Sequence, residues 1–237
     1  MLNSLDVIVL CGGAGTRLRS VTGGSPKAMA SVGGRPFLEV LLRQVKRYGA
    51  RRVILAVGYQ RDAIREYFGD EASGLRLEYS VEVSPLGTGG ALRNAAPLVE
   101  AGDVLIMNGD SYTDADLGEF SAHHGRSHAD VSVLVVPADG RVDCGSVLLD
   151  QEGRLTEFEE KKGSRRYVNA GIYLARRSVL EEIPAGIQVS LEKDLFPRWV
   201  LEGKDLRGFV WPGTCVDIGT PERYQNAQDI LAEVECA

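Results

Sequence analysis

The sequence predicts an α/β fold: a mixed, mainly parallel central sheet flanked by helices. Three observations predict it. Short apolar runs alternate with segments of helical spacing through the first half of the chain, which is the pattern of βαβ units. The runs are apolar at nearly every position, as strands covered on both faces must be. The chain has 237 residues, enough to bury about 70% of its unfolded surface in one core without a disulfide or metal staple.

Taken in order, Asp6–Cys11 is an apolar run of strand length. Phe37–Tyr48 places Leu38, Leu41, Leu42 and Val45 at helical spacing. Arg52–Val57 is a second strand, Asp62–Phe68 a helix, and Leu75–Val81 alternates as a strand. Gly89–Leu98 can form a helix that ends near Pro97. Asp103–Met107 is a strand, Leu117–His124 a helix and Val131–Val136 a strand. The rhythm then changes. Ser146–Asp150, the turn Gln151-Glu152-Gly153, and Arg154–Phe158 read as a β-hairpin, followed by a strand at Val168–Leu174. Arg177–Ile183 and Leu191–Leu201 are helical, limited or kinked by Pro184 and Pro197. Leu206–Val210 and Val216–Ile218 are short strands, and Pro221 begins a last helix over Glu222–Val234. No linker, repeat or low-complexity segment intervenes. Residues 1–237 therefore read as a single domain with two halves, 1–140 and 141–237.

A formal net charge of -6 argues against general nucleic-acid binding, which needs a basic face. An anionic small ligand would have to be met by local cations or a metal. Cys11, Cys144, Cys215 and Cys236 have no CxxC spacing, which argues against zinc and a disulfide framework. The N-terminus has no basic n-region, and Val7 to Cys11 is too short for a signal peptide or membrane span. A soluble cytoplasmic protein is expected, with no membrane partner. A homo-oligomer is compatible with the sequence, which does not reveal the oligomeric state. The unusual feature is glycine, 28 of 237 residues, where an average chain has about 7%.

The first glycine cluster follows directly on the first strand: Gly12-Gly13-Ala14-Gly15-Thr16-Arg17-Leu18. Such a loop lets backbone approach a ligand and turns several N–H groups into one concavity, a nest for phosphate. Arg17 adds a fork of donors, and Lys27, stiffened by Pro26, can be aimed at the same place. A mobile strand–helix connection is the plain alternative. Walker A fails because no Lys-Ser/Thr follows the glycines. The dinucleotide fingerprint fails because its last glycine position is Leu18.

Leu10-Cys11-Gly12-Gly13-Ala14-Gly15-Thr16-Arg17-Leu18 followed by Ser25-Pro26-Lys27-Ala28-Met29 closely resembles the signature of the sugar-1-phosphate nucleotidylyltransferases, LAGGxGTRL…PKPM. Cys11 and Ala28 are small, non-chemical departures from it. The resemblance covers roughly Asp6 to Tyr224. It implies a Rossmann-like, GT-A-like nucleotidyltransferase fold whose first half binds nucleotide and whose second half binds sugar phosphate. It implies nucleotide binding by Leu10, Gly12, Gly13, Gly15 and Thr16, and catalytic roles for Arg17, Lys27, Asp110, Lys161 and Asp217.

Asp110 stands at the end of an apolar strand, in Met107-Asn108-Gly109-Asp110, where open parallel sheets bind ligands. Asp217 ends another, in Asp217-Ile218-Gly219-Thr220. Magnesium takes one or two protein carboxylates and completes its shell with phosphate and water. Either aspartate alone also fits a turn or cap; the resemblance implies that both bind Mg²⁺. Asp114-Ala115-Asp116 is a DxD, but it precedes the helix at Leu117 and reads as an N-cap.

The spacing from Glu82 to Gly87 and Thr88 resembles the family's base-reading loop. Guanine presents two adjacent donors, which a carboxylate accepts and an amide cannot, so Glu82 tilts the reading to GTP. Backbone groups near Gly87 could still dictate another base. In the second half, Glu157-Phe158-Glu159-Glu160-Lys161 resembles the F-x-E-K segment, with Lys161 on the sugar phosphate and Glu160 on a sugar hydroxyl. Asn169 matches an N-x-G strand, and Gly145 a glycine against the sugar. Ser190-Leu191-Glu192-Lys193-Asp194 resembles the branch acting on heptose and mannose 1-phosphates; otherwise it is a helix capped by Ser190. On this reading Gly87, Gly89 and Gly90 lie near a base, and Gly145 and Gly171 near a sugar. The expected reaction moves a nucleotidyl group, GMP first, from NTP to D-glycero-α-D-manno-heptose 1-phosphate. The alternatives are mannose-1-phosphate guanylyl transfer, another uridylyl or cytidylyl transfer, or a non-catalytic nucleotide-sugar-binding subunit.

Overall fold

The computed structural model describes residues 1–13, 15–138, 145–160 and 166–235. Its elements are β1 (Asp6–Leu10), α1 (Arg19–Thr22), β2 (Ser31–Val32), β3 (Arg35–Pro36), α2 (Phe37–Arg47), β4 (Arg52–Val57), α3 (Arg61–Phe68), β5 (Glu71–Ala72) and β6 (Leu75–Val81). There follow α4 (Gly87–Ala95), β7 (Asp103–Asn108), β8 (Ser111–Thr113), α5 (Leu117–Ser127), β9 (Val131–Pro137), β10 (Gly145–Leu149), β11 (Leu155–Glu160) and β12 (Tyr167–Arg176). The chain closes with α6 (Arg177–Glu181), α7 (Phe196–Leu201), β13 (Leu206–Val210), β14 (Cys215–Asp217) and α8 (Pro221–Glu235).

One ten-stranded sheet runs through both halves, in the order β11-β10-β12-β7-β1-β4-β6-β5, with β9 joining β12 to β13. Its centre, β7-β1-β4-β6, is parallel. The strands alternate between two cores. Val7, Val9, Val53, Leu55, Leu105 and Met107 pack on one face, and Ile8, Ile54, Ala56, Val104 and Ile106 on the other. This is why these runs read as continuously apolar: each residue has a helix layer to face.

From β1 the chain builds outward to β4 and β6, then returns across the sheet through α4 to place β7 on the other flank of β1. That reversal leaves a crevice at the carboxyl ends of β1 and β7, the usual place for a ligand in an open sheet. At the opposite end, Arg52 pins three strands together. It donates to Asp6 of β1 at 3.0 Å and to Glu78 of β6 at 2.9 Å.

β12 runs antiparallel to β7 and carries the second half onto the sheet. Its register with β9 shifts between Asn169 and Tyr173. There Gly171 takes φ +75 and its N–H donates to Asn169 Oδ1 at 2.9 Å, a local bulge that re-aims the strand beside the crevice. The expected strand at Val216–Ile218 forms as Cys215–Asp217, outside the main sheet. It pairs with β8, an element the sequence did not announce, in a separate two-stranded ribbon that sets Asp217 opposite Ser111. The expected helix over Leu191–Leu201 is a wide π-type turn at Leu191–Leu195 running into α7, which has Pro197 in its first turn.

Candidate active site

The crevice is a cleft of about 730 Å³. Its floor is the row of strand ends: Leu10 and Cys11 after β1, Gly58 after β4, Glu82 after β6, and Asn108 to Asp110 after β7. Over it lies the glycine loop, with Gly12, Gly13, Gly15, Thr16 and Arg17 all in the wall, and Lys27, Gly87 and Thr88 complete it. Arg17 is exposed at the lip.

The loop glycines make room for the site's own side chains. A Cβ on Gly12 would overlap Glu82 Oε1. Gly15, at φ +56, leaves space that a Cβ would close to 2.9 Å from Lys27 Cβ. Glu82 is thereby held against the backbone of the loop, its Oε2 accepting Leu86 N–H at 2.8 Å. Burial raises the Glu82 pKa above the ordinary value, and the Leu86 N–H opposes the rise. Cys11, beside the loop, is pushed up to about 12 by burial and by the nearby Asp110 carboxylate. Its thiol stays protonated, a packing group and not a nucleophile.

The two aspartates singled out in the sequence meet through the β8–β14 ribbon. The backbone carbonyl of Asp110 accepts Ile218 N–H at 3.0 Å. Each carboxylate has its own cation. Lys27 pairs with Asp110 Oδ2, and Arg223 donates to Asp217 Oδ2 at 2.9 Å. Asp217 Oδ1 accepts Gly219 N–H at 2.7 Å, so both oxygens are held. Asp217 itself does not line the cleft, but Gly219 does. The donor set is all carboxylate oxygen, which suits a hard cation. No group of three or more metal-ligating side chains occurs among the described residues. That fits an ion that draws the rest of its shell from phosphate and water, and does not fit a closed protein cage.

The residues expected to meet a sugar form a second cluster, outside the cleft wall. Gly145 of β10 is paired with Glu160 of β11, and the next residue, Ser146, is paired with Val168 beside Asn169. Glu160 is described in its backbone only, and Lys161 lies outside the described residues. Asn169 spends its Nδ2 on Tyr173 OH at 2.7 Å.

Two expectations are corrected. Gly89 and Gly90 are not at a base. They are buried, outside the cleft lining, and their missing Cβ space belongs to Leu195, Val189 and Ile187. Gly171 is not open to a sugar, because a Cβ there would meet Asn108 Nδ2 at 2.8 Å. Thr88 lines the cleft, and its hydroxyl donates to Glu192 Oε2 at 2.6 Å. The DxD reads as expected: Asp116 caps α5 by accepting Glu119 N–H at 2.9 Å. Asp114 latches the ribbon by accepting from Trp211 Nε1 and Thr214 N.

Two site residues escaped the sequence reading. Arg223 sits one turn after Asp217-Ile218-Gly219-Thr220, and a cation at that offset from a metal-type carboxylate was a usable signal. Asn108 lines the cleft, with an Oδ1 that is buried and has no hydrogen-bond partner among the described residues. Only the packing of Gly171 against it reveals that.

A glycine-rich loop and a lysine–aspartate pair line a cleft at the switch point of an open α/β sheet, and a second aspartate stands just outside its wall. The chain belongs to the nucleotidyl transferase family, whose model matches residues 6–234. Relatives of this chain are named as sugar-1-phosphate guanylyltransferases. A mannose-1-phosphate guanylyltransferase of Mycobacterium tuberculosis is 37% identical over 226 residues, 94% of this chain but 63% of that one. A D-glycero-alpha-D-manno-heptose 1-phosphate guanylyltransferase of Campylobacter jejuni is 33% identical over 221 residues, 93% of this chain and 97% of that one. Among solved structures, HddC from Yersinia pseudotuberculosis complexed with GMP-PN superimposes with a TM-score of 0.85 at 31% identity, covering 96% of this chain and 99% of that one. Among the described residues, no helix is long and apolar enough to cross a membrane.

Proposed function

We propose that this protein transfers GMP from GTP to a sugar 1-phosphate and releases pyrophosphate. The observation that carries the reading is the convergence of the Gly12–Arg17 loop, Glu82, Lys27 and Asp110 on one cleft. A phosphate oxygen of the sugar 1-phosphate attacks the α-phosphorus of GTP, and the bond to the β-phosphate breaks. The nucleophile is already ionised, so the protein needs no general base. Its work is positioning and charge neutralisation.

Backbone N–H groups of Gly12, Gly13 and Gly15, with Thr16, hold the triphosphate, and Arg17 takes its β/γ end. Glu82 accepts the two adjacent guanine donors, with Gly87 and Thr88 bordering the base. Lys27 and Lys161 flank the approaching phosphates. Gly145, Glu160 and Asn169 receive the sugar. Asp110 and Asp217 would hold Mg²⁺, which, when bound, offsets the charge between two anionic reactants. Residues 1–140 thus serve the nucleotide and 141–237 the acceptor within one cytoplasmic enzyme.

D-glycero-α-D-manno-heptose 1-phosphate is the first acceptor to test. Mannose 1-phosphate is the second, because a relative named for mannose 1-phosphate stands at 37% identity. The test is a pyrophosphate-release matrix of four NTPs against heptose, mannose and glucose 1-phosphates. Release with GTP and one of the first two is expected. Release with UTP, CTP or ATP alone, or none at all, overturns the reading.

A further inference from the structure

We propose that Glu192 is a positioning residue that sets both Thr88 in the cleft wall and Asn169 in the expected sugar cluster outside it, a role that rests on the guanylyltransferase reading above. Glu192 lies in the π-type turn after β12 and α6, and touches both halves of the molecule. Its Oε2 accepts from Thr88 Oγ1 at 2.6 Å and from Ser190 Oγ at 3.0 Å. Its Oε1 accepts from Tyr173 OH at 3.3 Å. The Tyr173 ring is fully buried against Phe196, and its oxygen accepts from Asn169 Nδ2. Thr88 borders the cleft on the nucleotide side, and Asn169 stands at the bulge of β12 on the acceptor side.

The direction of these bonds is what assigns the role. Thr88 Oγ1 already accepts Leu191 N–H at 2.8 Å, so its one proton goes to Glu192. Tyr173 OH already accepts from Asn169, so its one proton also goes to Glu192. All three hydroxyls give, and only a group that accepts at both atoms can receive them. An ionised carboxylate does so, whereas an amide presents one donor. With the far end fixed in this way, the Asn169 amide has a single orientation: Nδ2 toward Tyr173 and Oδ1 toward Gly171 N–H. The carboxylate at 192 therefore dictates which polar atoms Asn169 has left for a ligand, through a buried tyrosine, and fixes the threonine beside the base in the same stroke. A carboxylate that merely fastened its own turn would need Ser190 alone, its partner two residues away.

Two branches leave Glu192, and they can be cut separately. Steady-state pyrophosphate release by the full chain would be measured for wild type, Glu192→Gln and Tyr173→Phe, varying GTP and sugar 1-phosphate in turn, with thermal melts alongside. Glu192→Gln is expected to raise both KM values about tenfold, the scale of one misdirected hydrogen bond to a charged group, with kcat changed far less and the fold retained. Tyr173→Phe cuts only the Asn169 branch and is expected to raise the KM for the sugar phosphate alone. It also serves if Glu192→Gln does not fold. Unchanged KM values in Glu192→Gln, or equal changes in both KM values in Tyr173→Phe, overturn the role. Wild type without turnover overturns the guanylyltransferase reading and this role with it. Wild-type turnover with unresponsive variants removes Glu192 alone.

Discussion

The loop after β1 and the first turn of α4 are equally rich in glycine, and they use it for opposite purposes. In the first, the space left by a missing Cβ is taken by Glu82 and Lys27, polar side chains that face the cleft. In the second it is taken by Val189, Leu195 and Ile187, backbone and apolar groups of the segment clamped onto α4. Gly89 and Gly90 N–H both donate to Val189 O, at 2.9 and 3.2 Å. The neighbour that fills the vacated volume decides whether a glycine serves chemistry or packing.

Substitutions should separate the two regions cleanly. The largest effect is expected at Gly87, where φ is +71 and a Cβ would stand 2.6 Å from Val189 O. Gly87→Ala combines overpacking with left-handed strain and should cost about 2–4 kcal/mol of stability, read from the urea midpoint. Gly12→Ala should leave that midpoint nearly unmoved. It displaces the Glu82 carboxylate and should lower kcat/KM for GTP about 30-fold. If instead Gly12→Ala unfolds the protein at full specific activity, the contrast between the regions is lost.

Next is Glu82→Gln, expected to reduce the preference for GTP over the other NTPs about tenfold. Its pH dependence has a definite sign. Burial raises the Glu82 pKa, so the ionised form is lost as pH falls through a value above that of an ordinary glutamate. The KM for GTP should begin to climb there, and the climb should be absent in Glu82→Gln. For folding, the sign is reversed: a raised carboxyl pKa is a penalty present above the folded pKa and relieved as pH falls below it. The smallest effect is expected far from both regions. Asp116→Ala removes a single helix cap and should cost about 1 kcal/mol without altering the KM for either substrate.

The legible parts of this molecule are those whose physics is local. β1, β4 and β7 announce themselves because each residue is buried on one face or the other. The loop from Gly12 to Arg17 announces itself because the residues that line the cleft there are close together in sequence. Asp110 and Asp217 were each legible as strand-end carboxylates. Their meeting was not, because β8 has three residues and no apolar run, and its partner lies about a hundred positions away: Thr113 Oγ1 donates to Thr214 O across 101 residues. Gly89 and Gly90 misled for the same reason. Their meaning resides in Val189 and Leu195, which no local pattern links to them. Glu192 looked like part of a capped helix, and only the contacts to Thr88 and Tyr173 distinguish it.

The β8–β14 ribbon also has a consequence for the order of events during synthesis. The parallel centre of the sheet, the glycine loop and Lys27 are all encoded before residue 110, and can assemble while the rest of the chain is still being made. Asp217 cannot join Asp110 until β14 has emerged and closed a loop of about a hundred residues, a slow step because its entropy is lost before the contact rewards it. A nascent chain therefore acquires its glycine loop early and the ribbon that brings Asp217 to Asp110 late, so on the proposed function turnover would begin only after the translated second half has folded back onto the first.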